Sequence, residues 1–159
     1  GVAAQDAGSA GGVTTVTGTA RWVDNIDEGT DSVNSDGFDA NAGSVNTFRF
    51  SFPSDPRLTG DATVTANTVV SWSGENWAMM SADTYELSND GGSWLGESTG
   101  FGGPEIGSGR TIIFVGQDGY GGLTAYLHGE LDLDSATYEF QGLIYPTAMP
   151  EVPEPYSAE

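Results

Sequence analysis

The chain has 159 residues, including 24 glycines, and its 23 acidic residues face only four basic ones, which gives a formal net charge of −19. This charge repels phosphate, so we expect neither a nucleic-acid partner nor an anionic membrane. The lack of cysteine excludes disulfides, thiolate metal sites and cysteine nucleophiles, and no apolar segment is long enough to span a bilayer.

The chain begins with small, mostly uncharged residues, GVAAQDAGSAGG, which contain too little apolar surface to fold alone. We therefore predict a flexible N-terminal arm over residues 1–12. A start at Gly1 followed by small residues is typical of a protein whose export signal has been removed, or of a chain that has been trimmed. We favour the first and expect a secreted, extracellular protein. If copies self-associate through this arm, the candidate assembly residues are Val2, Ala3, Ala4 and Val13.

Eight segments with the character of β-strands follow the arm. Most of them alternate apolar and polar side chains; in the first, Val16, Ala20 and Trp22 share one face and threonines occupy the other. The predicted strands span residues 13–23, 46–52, 62–72, 78–88, 93–101, 111–115, 123–131 and 136–145. Locally connected strands at this spacing predict an all-β fold, an antiparallel up-and-down barrel of about eight strands, in one domain over residues 13–146.

The segments between the strands are rich in turn residues and carboxylates. Residues 24–43 hold six carboxylates among Gly, Ser and Asn, which predicts a long, flexible acidic loop. The sequence Asn-Asp-Gly-Gly at residues 89–92 is typical of a tight hairpin turn. Residues 147–159 are rich in proline and glutamate, so we expect an extended C-terminal tail.

The most informative stretch is residues 110–130, in which an apolar run is followed by a glycine-rich segment and by an alternating run that continues to Leu131. On the alternating run one face is apolar or small, which predicts that this face lines the core; it carries Leu123, Ala125, Leu127, Gly129 and Leu131. We expect the intervening glycines to supply the positive φ and the close backbone approach that a strand reversal needs; they are Gly116, Gly119, Gly121 and Gly122. The stretch therefore predicts two adjacent strands joined by a glycine hinge.

Residues 115–132, VGQDGYGGLTAYLHGELD, resemble the glycine-centred hairpin of the allene oxide cyclase-like barrel superfamily, which includes dirigent proteins and spirotetronate cyclases. The matching residues are Gly116, Gly119, Tyr120, Gly122 and Leu123. Residues 83–146 as a whole look like secreted bacterial members of unknown function. The resemblance implies an eight-stranded barrel whose lumen, in the enzymatic members, binds a hydrophobic substrate and steers a cyclisation. It carries over no catalytic residue.

The candidate catalytic residues are Tyr126, His128 and Glu130. His128 is the only histidine of the chain, and strand alternation places all three residues on one face. If this face lines the lumen, they form a candidate acid–base group, because histidine titrates near neutral pH and a carboxylate can orient it. The alternative is a polar outer face opposite the leucines.

The candidate ligand-binding residues are Trp72, Trp94, Tyr126 and His128. Aromatic side chains commonly line the mouths of barrels, where they form apolar pockets for small molecules. The alternative is that the tryptophans fill the core of a small barrel.

The candidate metal ligands are Asp36, Asp39 and Asn41, since calcium prefers oxygen ligands. Asp39, Asn41 and Gly43 resemble a fragment of a calcium-binding loop. The complete loop pattern and its closing glutamate are absent, and the alternative is a solvated acidic loop. We expect no cofactor.

Two functions from different classes remain open. In the first, the chain is a non-catalytic extracellular structural or assembly subunit, such as a filament or cell-surface component, whose copies join through a terminal arm. The scarcity of reactive side chains favours this function. In the second, the barrel binds a hydrophobic small molecule or is a cofactor-independent cyclase or isomerase.

Overall fold

The computed structural model describes residues 9–10 and 12–158, which consist mainly of β-strands. Numbered in chain order, the strands are β1 Ser9–Ala10, β2 Val13–Asp27, β3 Thr30–Val33, β4 Asp39–Ser51, β5 Gly60–Ser73, β6 Asn76–Asn89, β7 Gly92–Gly103, β8 Gly107–Gln117, β9 Thr124–Asp132 and β10 Thr137–Tyr145. Two 3₁₀ helices of three residues each, Pro56–Leu58 and Asp118–Tyr120, are the only helices in this part of the chain.

Eight of these strands form a closed antiparallel ring. Each strand from β4 to β9 pairs with the strand that follows it along the chain, and β2 closes the ring by pairing with both β10 and β4. The prediction of an up-and-down barrel of about eight strands is therefore confirmed. The predicted turn at residues 89–92 joins β6 to β7, and β1 and β3 lie outside the ring on the edges of β2 and β4.

The prediction of a long, flexible acidic loop over residues 24–43 is wrong, because strands occupy most of this segment. β2 continues to Asp27, and β3 and the first part of β4 form a hairpin that extends the barrel wall. Side-chain amides hold the extension: Asn25 Nδ2 donates to Asn46 Oδ1 at 2.9 Å, and Asn41 Nδ2 donates to Asp31 Oδ1 at 2.8 Å. Asn and Asp usually favour turns through such side-chain bonds, but here the bonds join neighbouring strands.

Aromatic side chains fill the lumen, with Phe50 at the centre. Its ring centroid lies 6.0 to 6.4 Å from those of Phe52, Tyr85, Phe114 and Phe140. Glycines on neighbouring strands make room for these rings: a Cβ added to Gly96 would lie only 2.7 Å from Phe114 Cδ1. The inward face therefore combines very large and very small side chains, as a narrow barrel requires.

One end of the barrel, which we call the closed end, is sealed by its own connections. The 3₁₀ helix Pro56–Leu58 buries Leu58 completely in the core. Asn89 Nδ2 holds this helix by donating to the carbonyls of Pro56, Arg57 and Thr59 at 2.9 to 3.1 Å. Asn89 Oδ1 also accepts a hydrogen bond of 2.6 Å from Tyr120 Oη, which belongs to the second 3₁₀ helix.

The predicted hinge between β8 and β9 exists, but its glycines differ in their roles. Positive φ occurs at Gly122 and at Asp118. Gly116, Gly119 and Gly121 do not have positive φ, but the expected close backbone approach occurs at Gly119, where an added Cβ would collide with the carbonyl oxygen of Gly91. Gly116 is required by close packing instead, because a Cβ there would collide with the carbonyl oxygen of Tyr120.

The opposite end, which we call the open end, has four connections: residues 28–38, which include β3, and the turns β5–β6, β7–β8 and β9–β10. Beyond β10, residues 147–158 contain no helix or strand, as expected for the tail. Thr124 Oγ1 donates to the Thr147 carbonyl at 2.7 Å, which fixes the start of the tail to β9.

Candidate functional site

A cluster of polar side chains crosses the lumen between the aromatic core and the open end. This lumen cluster comprises Asp83 and Tyr85 of β6, Ser98 of β7, Arg110 of β8 and Tyr138 of β10. The strand register builds it: Asp83 pairs with Ser98, and Arg110 lies between two glycines, Gly100 and Gly129, on the strands beside it. Because these glycines have no side chain, the arginine side chain can extend across the lumen.

Arg110 and Asp83 form the ion pair at the centre of the lumen cluster. Arg110 Nη1 lies 2.6 Å from Asp83 Oδ2 and donates to Tyr85 Oη at 3.0 Å, while Nη2 donates to Tyr138 Oη at 3.3 Å. Ser98 Oγ donates to the same carboxylate oxygen at 2.6 Å. The guanidinium also makes a cation–π contact, with Cζ 5.0 Å from the centroid of the Tyr138 ring.

Burial sets the electrostatics of the lumen cluster, since the side chains of Asp83 and Arg110 are only 1% and 14% exposed. Burial acts to lower the pKa of Arg110, but Tyr85, Tyr138 and Asp83 together outweigh it and raise that pKa above its ordinary value. Burial also raises the pKa of Tyr85, against the opposing effect of Arg110. At neutral pH the cluster therefore contains a charged guanidinium and a neutral phenol.

The chemistry open to this cluster is binding rather than proton transfer. Asp83 is a poor general base, because its carboxylate is already bonded to Arg110 and Ser98. Arg110 Nε is buried and has no hydrogen-bond partner among the described residues. Since buried donors are normally paired, this N–H is suited to an acceptor atom of a bound molecule.

Aromatic side chains surround the approach to the lumen cluster from the open end. Trp72 pairs with Trp77 across β5 and β6, and Trp22 pairs with Phe48 across β2 and β4. The Trp77 ring lies against Gly102, where an added Cβ would be 3.1 Å from it. Trp72 and Trp22 are more than half exposed, so they form the rim of this approach rather than its wall.

Comparisons with protein-family models, with curated proteins and with solved structures find no match to this chain. The resemblance of residues 115–132 to the allene oxide cyclase-like superfamily therefore stays a prediction. The geometry of the described residues is the basis for the functional proposals below.

The predicted catalytic residues Tyr126, His128 and Glu130 lie on the outer wall of β9, so their placement in the lumen is wrong. The inward face of this strand is formed instead by small and apolar residues, including the fully buried Leu127. His128 Nδ1 lies 3.1 Å from Thr111 Oγ1, so its side-chain contact is a hydroxyl rather than an orienting carboxylate. The outer-face alternative describes this strand because burying leucine is more favourable than burying histidine.

The four predicted ligand-binding residues do not converge on one pocket. Trp94 is fully buried near the closed end and stacks on Tyr120, with ring centroids 5.2 Å apart. Trp72 lies at the opposite end, and Tyr126 and His128 lie on the outer wall. Trp94 therefore fills the core, as the alternative to a ligand-binding role proposed, whereas Trp72 is exposed.

The predicted calcium ligands are dispersed around the β3–β4 hairpin. Asp36 lies in the exposed turn between these strands, Asp39 begins β4, and the Asn41 amide donates to Asp31. Across residues 9–10 and 12–158, no three His, Cys, Asp or Glu side chains are grouped so that they could hold a metal ion.

Of the predicted assembly residues, Val2, Ala3 and Ala4 lie outside the described residues. Val13 begins β2 and pairs with Ala10 of β1, so Ser9–Ala10 of the predicted arm pair with β2 of the same chain, and residues 1–8 and 11 lie outside the described residues. The helices of the described residues include none long and apolar enough to cross a membrane.

The lumen cluster was missed by reasoning from the sequence, although part of its signal is visible there. Asp83 shares strand parity with Tyr85 and with Leu87, so alternation places a carboxylate on a buried face. Arg110 likewise shares parity with Ile112. The pairing of Asp83 with Arg110 is not visible, because it joins two strands that are not neighbours in the sheet.

Proposed function

We propose that this barrel is a non-catalytic structural or assembly subunit that acts outside the cell, and that its copies join through the N-terminal arm. The observation that carries the proposal is the free edge of β3. Among the described residues β3 pairs on one side only, with β4, and all four of its residues are exposed. The eight strands of the ring, by contrast, close on one another.

A free strand edge presents unpaired N–H and C=O groups, which readily pair with a strand from another chain. In this mode of recognition main-chain hydrogen bonds supply the affinity. The arm is a suitable donor strand, because Asp6 is the only charged side chain in residues 1–12 and the arm can therefore approach an acidic barrel with little repulsion. The pairing of β1 with β2 supports strand formation by this part of the chain.

The interior of the barrel supports the non-catalytic part of the proposal. Asp83 and Arg110 are bonded to each other, and His128 lies on the outer wall, away from the lumen cluster. An arm that docks on β3 of the next copy makes a head-to-tail contact, which produces an open filament unless the rotation between copies closes a ring.

Light scattering at high protein concentration and high salt tests this function, since salt screens the repulsion between acidic copies. We expect the full chain to form oligomers and a chain lacking residues 1–12 to be monomeric with an unchanged circular dichroism spectrum. If both the full chain and the shortened chain are monomers, or if both form the same oligomer, the proposal is contradicted.

Two proline variants test the β3 edge itself. Consecutive N–H groups of a strand point to opposite edges, so one of Ser32→Pro and Val33→Pro removes an outward donor and the other an inward one. We expect the outward variant to lose self-association while its melting temperature changes little. If both variants associate like the original chain, arm docking at β3 is wrong.

A second function, binding of a hydrophobic small molecule that carries an acceptor atom, is supported by the unpaired Nε of Arg110. The anionic dye 1-anilinonaphthalene-8-sulfonate is a suitable probe, since it combines aromatic rings with a sulfonate. We expect its fluorescence to rise on binding and the rise to be lost in Arg110→Gln. An equal rise in both proteins would contradict binding at the lumen cluster.

A further inference from the structure

The two ends of the barrel differ in the side chains that their connections expose. At the closed end the large side chains of the two 3₁₀ helices, Leu58 and Tyr120, are buried. At the open end a large apolar side chain is exposed on every connection or on the strand end beside it, with exposed fractions of 60 to 80%. We call these side chains the open-end rim; they are Ile26, Val33, Trp72, Ile106 and Leu133. Such exposure contributes nothing to the packing of a single chain. Because all four connections at this end expose such a side chain, we treat the open-end rim as a candidate interaction surface.

The same four connections are acidic. Residues 24–39, 73–76, 103–107 and 132–137 contain no lysine or arginine, and each range contains at least one carboxylate. Arg110, the nearest inward-facing cation, is neutralised by Asp83 inside the lumen. The open-end rim therefore places apolar side chains within a negative electrostatic field.

We propose that the open-end rim binds a basic polypeptide segment that carries apolar side chains. The argument is charge complementarity: carboxylates on all four connections attract a cationic partner, and the apolar side chains supply the contact area. The same field disfavours an anionic membrane and the open-end rim of a second copy. A polypeptide fits better than a small molecule, because the apolar side chains are spread over four separate connections.

This inference goes beyond assembly through the arm, and Val33 of β3 is the one residue that the two proposals share. Trp72 is the expected anchor of the interaction, because exposed tryptophans in interfaces commonly carry much of the binding energy. The carboxylates mainly raise the association rate, so binding should weaken as salt is added.

Fluorescence anisotropy with a dye-labelled synthetic peptide tests the proposal. The probe is an amphipathic peptide of lysine and leucine, and the control peptide has glutamate in place of lysine. The rim variant combines Ile26→Ser, Trp72→Ser, Ile106→Ser and Leu133→Ser, and it omits Val33 so that β3 is unchanged. The matched control combines Leu95→Ser, Val115→Ser, Tyr126→Ser and Val152→Ser, which are exposed apolar residues of the outer wall and tail.

We expect the rim variant to bind the basic peptide at least about tenfold more weakly than the original chain, and the matched control to bind it equally well. The glutamate peptide should not bind. A charge variant, Glu28→Gln with Glu75→Gln, Glu105→Gln and Asp134→Asn, should bind more weakly at low salt and show a smaller salt dependence. A chain lacking residues 1–12 should bind normally, which separates this surface from the arm.

Three results would overturn the proposal. The first is equal binding of the basic peptide by the rim variant and the original chain, and the second is equal binding of the glutamate peptide. The third is loss of self-association in the rim variant without any peptide binding by the original chain, which would assign the open-end rim to a second copy.

Discussion

The Asp83 carboxylate and the Arg110 guanidinium meet at 2.6 Å, although their strands, β6 and β8, are not neighbours in the sheet. β7 lies between these strands, and its inward positions at the level of the ion pair are small, namely Gly96, Ser98 and Gly100. The two long side chains therefore meet across a strip that has almost no side-chain volume. Their ion pair joins parts of the barrel wall that backbone hydrogen bonds do not join directly.

Arg110→Met is expected to lower the free energy of unfolding by about 3 to 5 kcal/mol, because it leaves the Asp83 carboxylate buried without its counter-charge. Asp83→Leu should destabilise for the converse reason. The double variant should lose less than the sum of the two, since neither charge is left unpaired. Urea denaturation of the four proteins measures this coupling, and strictly additive losses would show that the pair does not act as a unit.

Tyr85→Phe is expected to change how stability depends on alkaline pH. Burial raises the folded-state pKa of Tyr85 above the unfolded value of about 10, so the phenol contributes stability that is present below pH 10 and is lost as the pH rises through the folded pKa. At neutral pH the variant should be less stable by about 1 kcal/mol, because it loses hydrogen bonds to Ser98 and Arg110.

The difference in melting temperature between the original chain and Tyr85→Phe should therefore shrink between pH 9 and about pH 11. The other tyrosines are present in both proteins and serve as the internal control. A constant difference over this range would contradict a raised pKa at Tyr85.

Gly96→Ala is expected to destabilise the barrel by about 1 to 3 kcal/mol through overpacking. Its Cβ would lie 2.7 Å from the Phe114 ring, which is fully buried and cannot move aside. Gly121→Ala is the matched control, because Gly121 has a φ of −52° and an added Cβ lies 3.3 Å from its nearest neighbour. Thermal unfolding measures the loss of stability in the two variants. The double variant Gly96→Ala with Phe114→Leu should recover part of the stability lost in Gly96→Ala, because the smaller leucine leaves room for the new Cβ.

Alternation of side chains was sufficient to predict most of the strands that form the ring, and an apolar run predicted β8. The inward positions of β9, for example Leu127, follow from a period of two, and this period does not depend on which strands become neighbours. The composition of residues 24–43 predicted a loop, and this prediction is wrong. The asparagines of this segment, which usually favour turns, instead form side-chain hydrogen bonds between strands, as Asn25 and Asn41 do. Local patterns therefore give the strands, whereas side-chain bonds between strands are set by the tertiary register.

The same distinction explains the candidate sites. His128 was chosen as a catalytic candidate because it is the only histidine of the chain, but its alternation with buried leucines already favours the outer wall. Arg110 and Asp83 are ordinary in the sequence, and they become a cluster only when β6, β7 and β8 are aligned at one level. Chemistry that depends on residues 27 positions apart is fixed by register and not by spacing along the chain.

Asn89→Asp is expected to be the most informative substitution at the closed end. The amide donates to the carbonyls of Pro56, Arg57 and Thr59, and a carboxylate at this position would repel all three oxygens. At neutral pH we therefore expect Asn89→Asp to be less stable than Asn89→Ala, which itself loses about 2 to 3 kcal/mol with these bonds. Repulsion by the carbonyl oxygens raises the folded-state pKa of the new carboxyl above the unfolded value of about 4. The aspartate variant should therefore regain stability relative to Asn89→Ala as the pH falls through this raised pKa, and the gain should be complete below about pH 4.

Tyr120→Phe is the control for the closed end, because it removes only the hydrogen bond from Tyr120 to Asn89 Oδ1 and should lose about 1 kcal/mol. Urea denaturation at pH 7 and at acidic pH measures all three variants. Equal stability of Asn89→Asp and the original chain at pH 7 would show that Asn89 does not hold the 3₁₀ helix in place. The same 3₁₀ helix carries Leu58 into the core, and its Arg57 carbonyl accepts a hydrogen bond of 2.8 Å from the Trp94 indole. If the Asn89 variants displace this helix, Trp94 should become exposed and the tryptophan fluorescence should shift to longer wavelength.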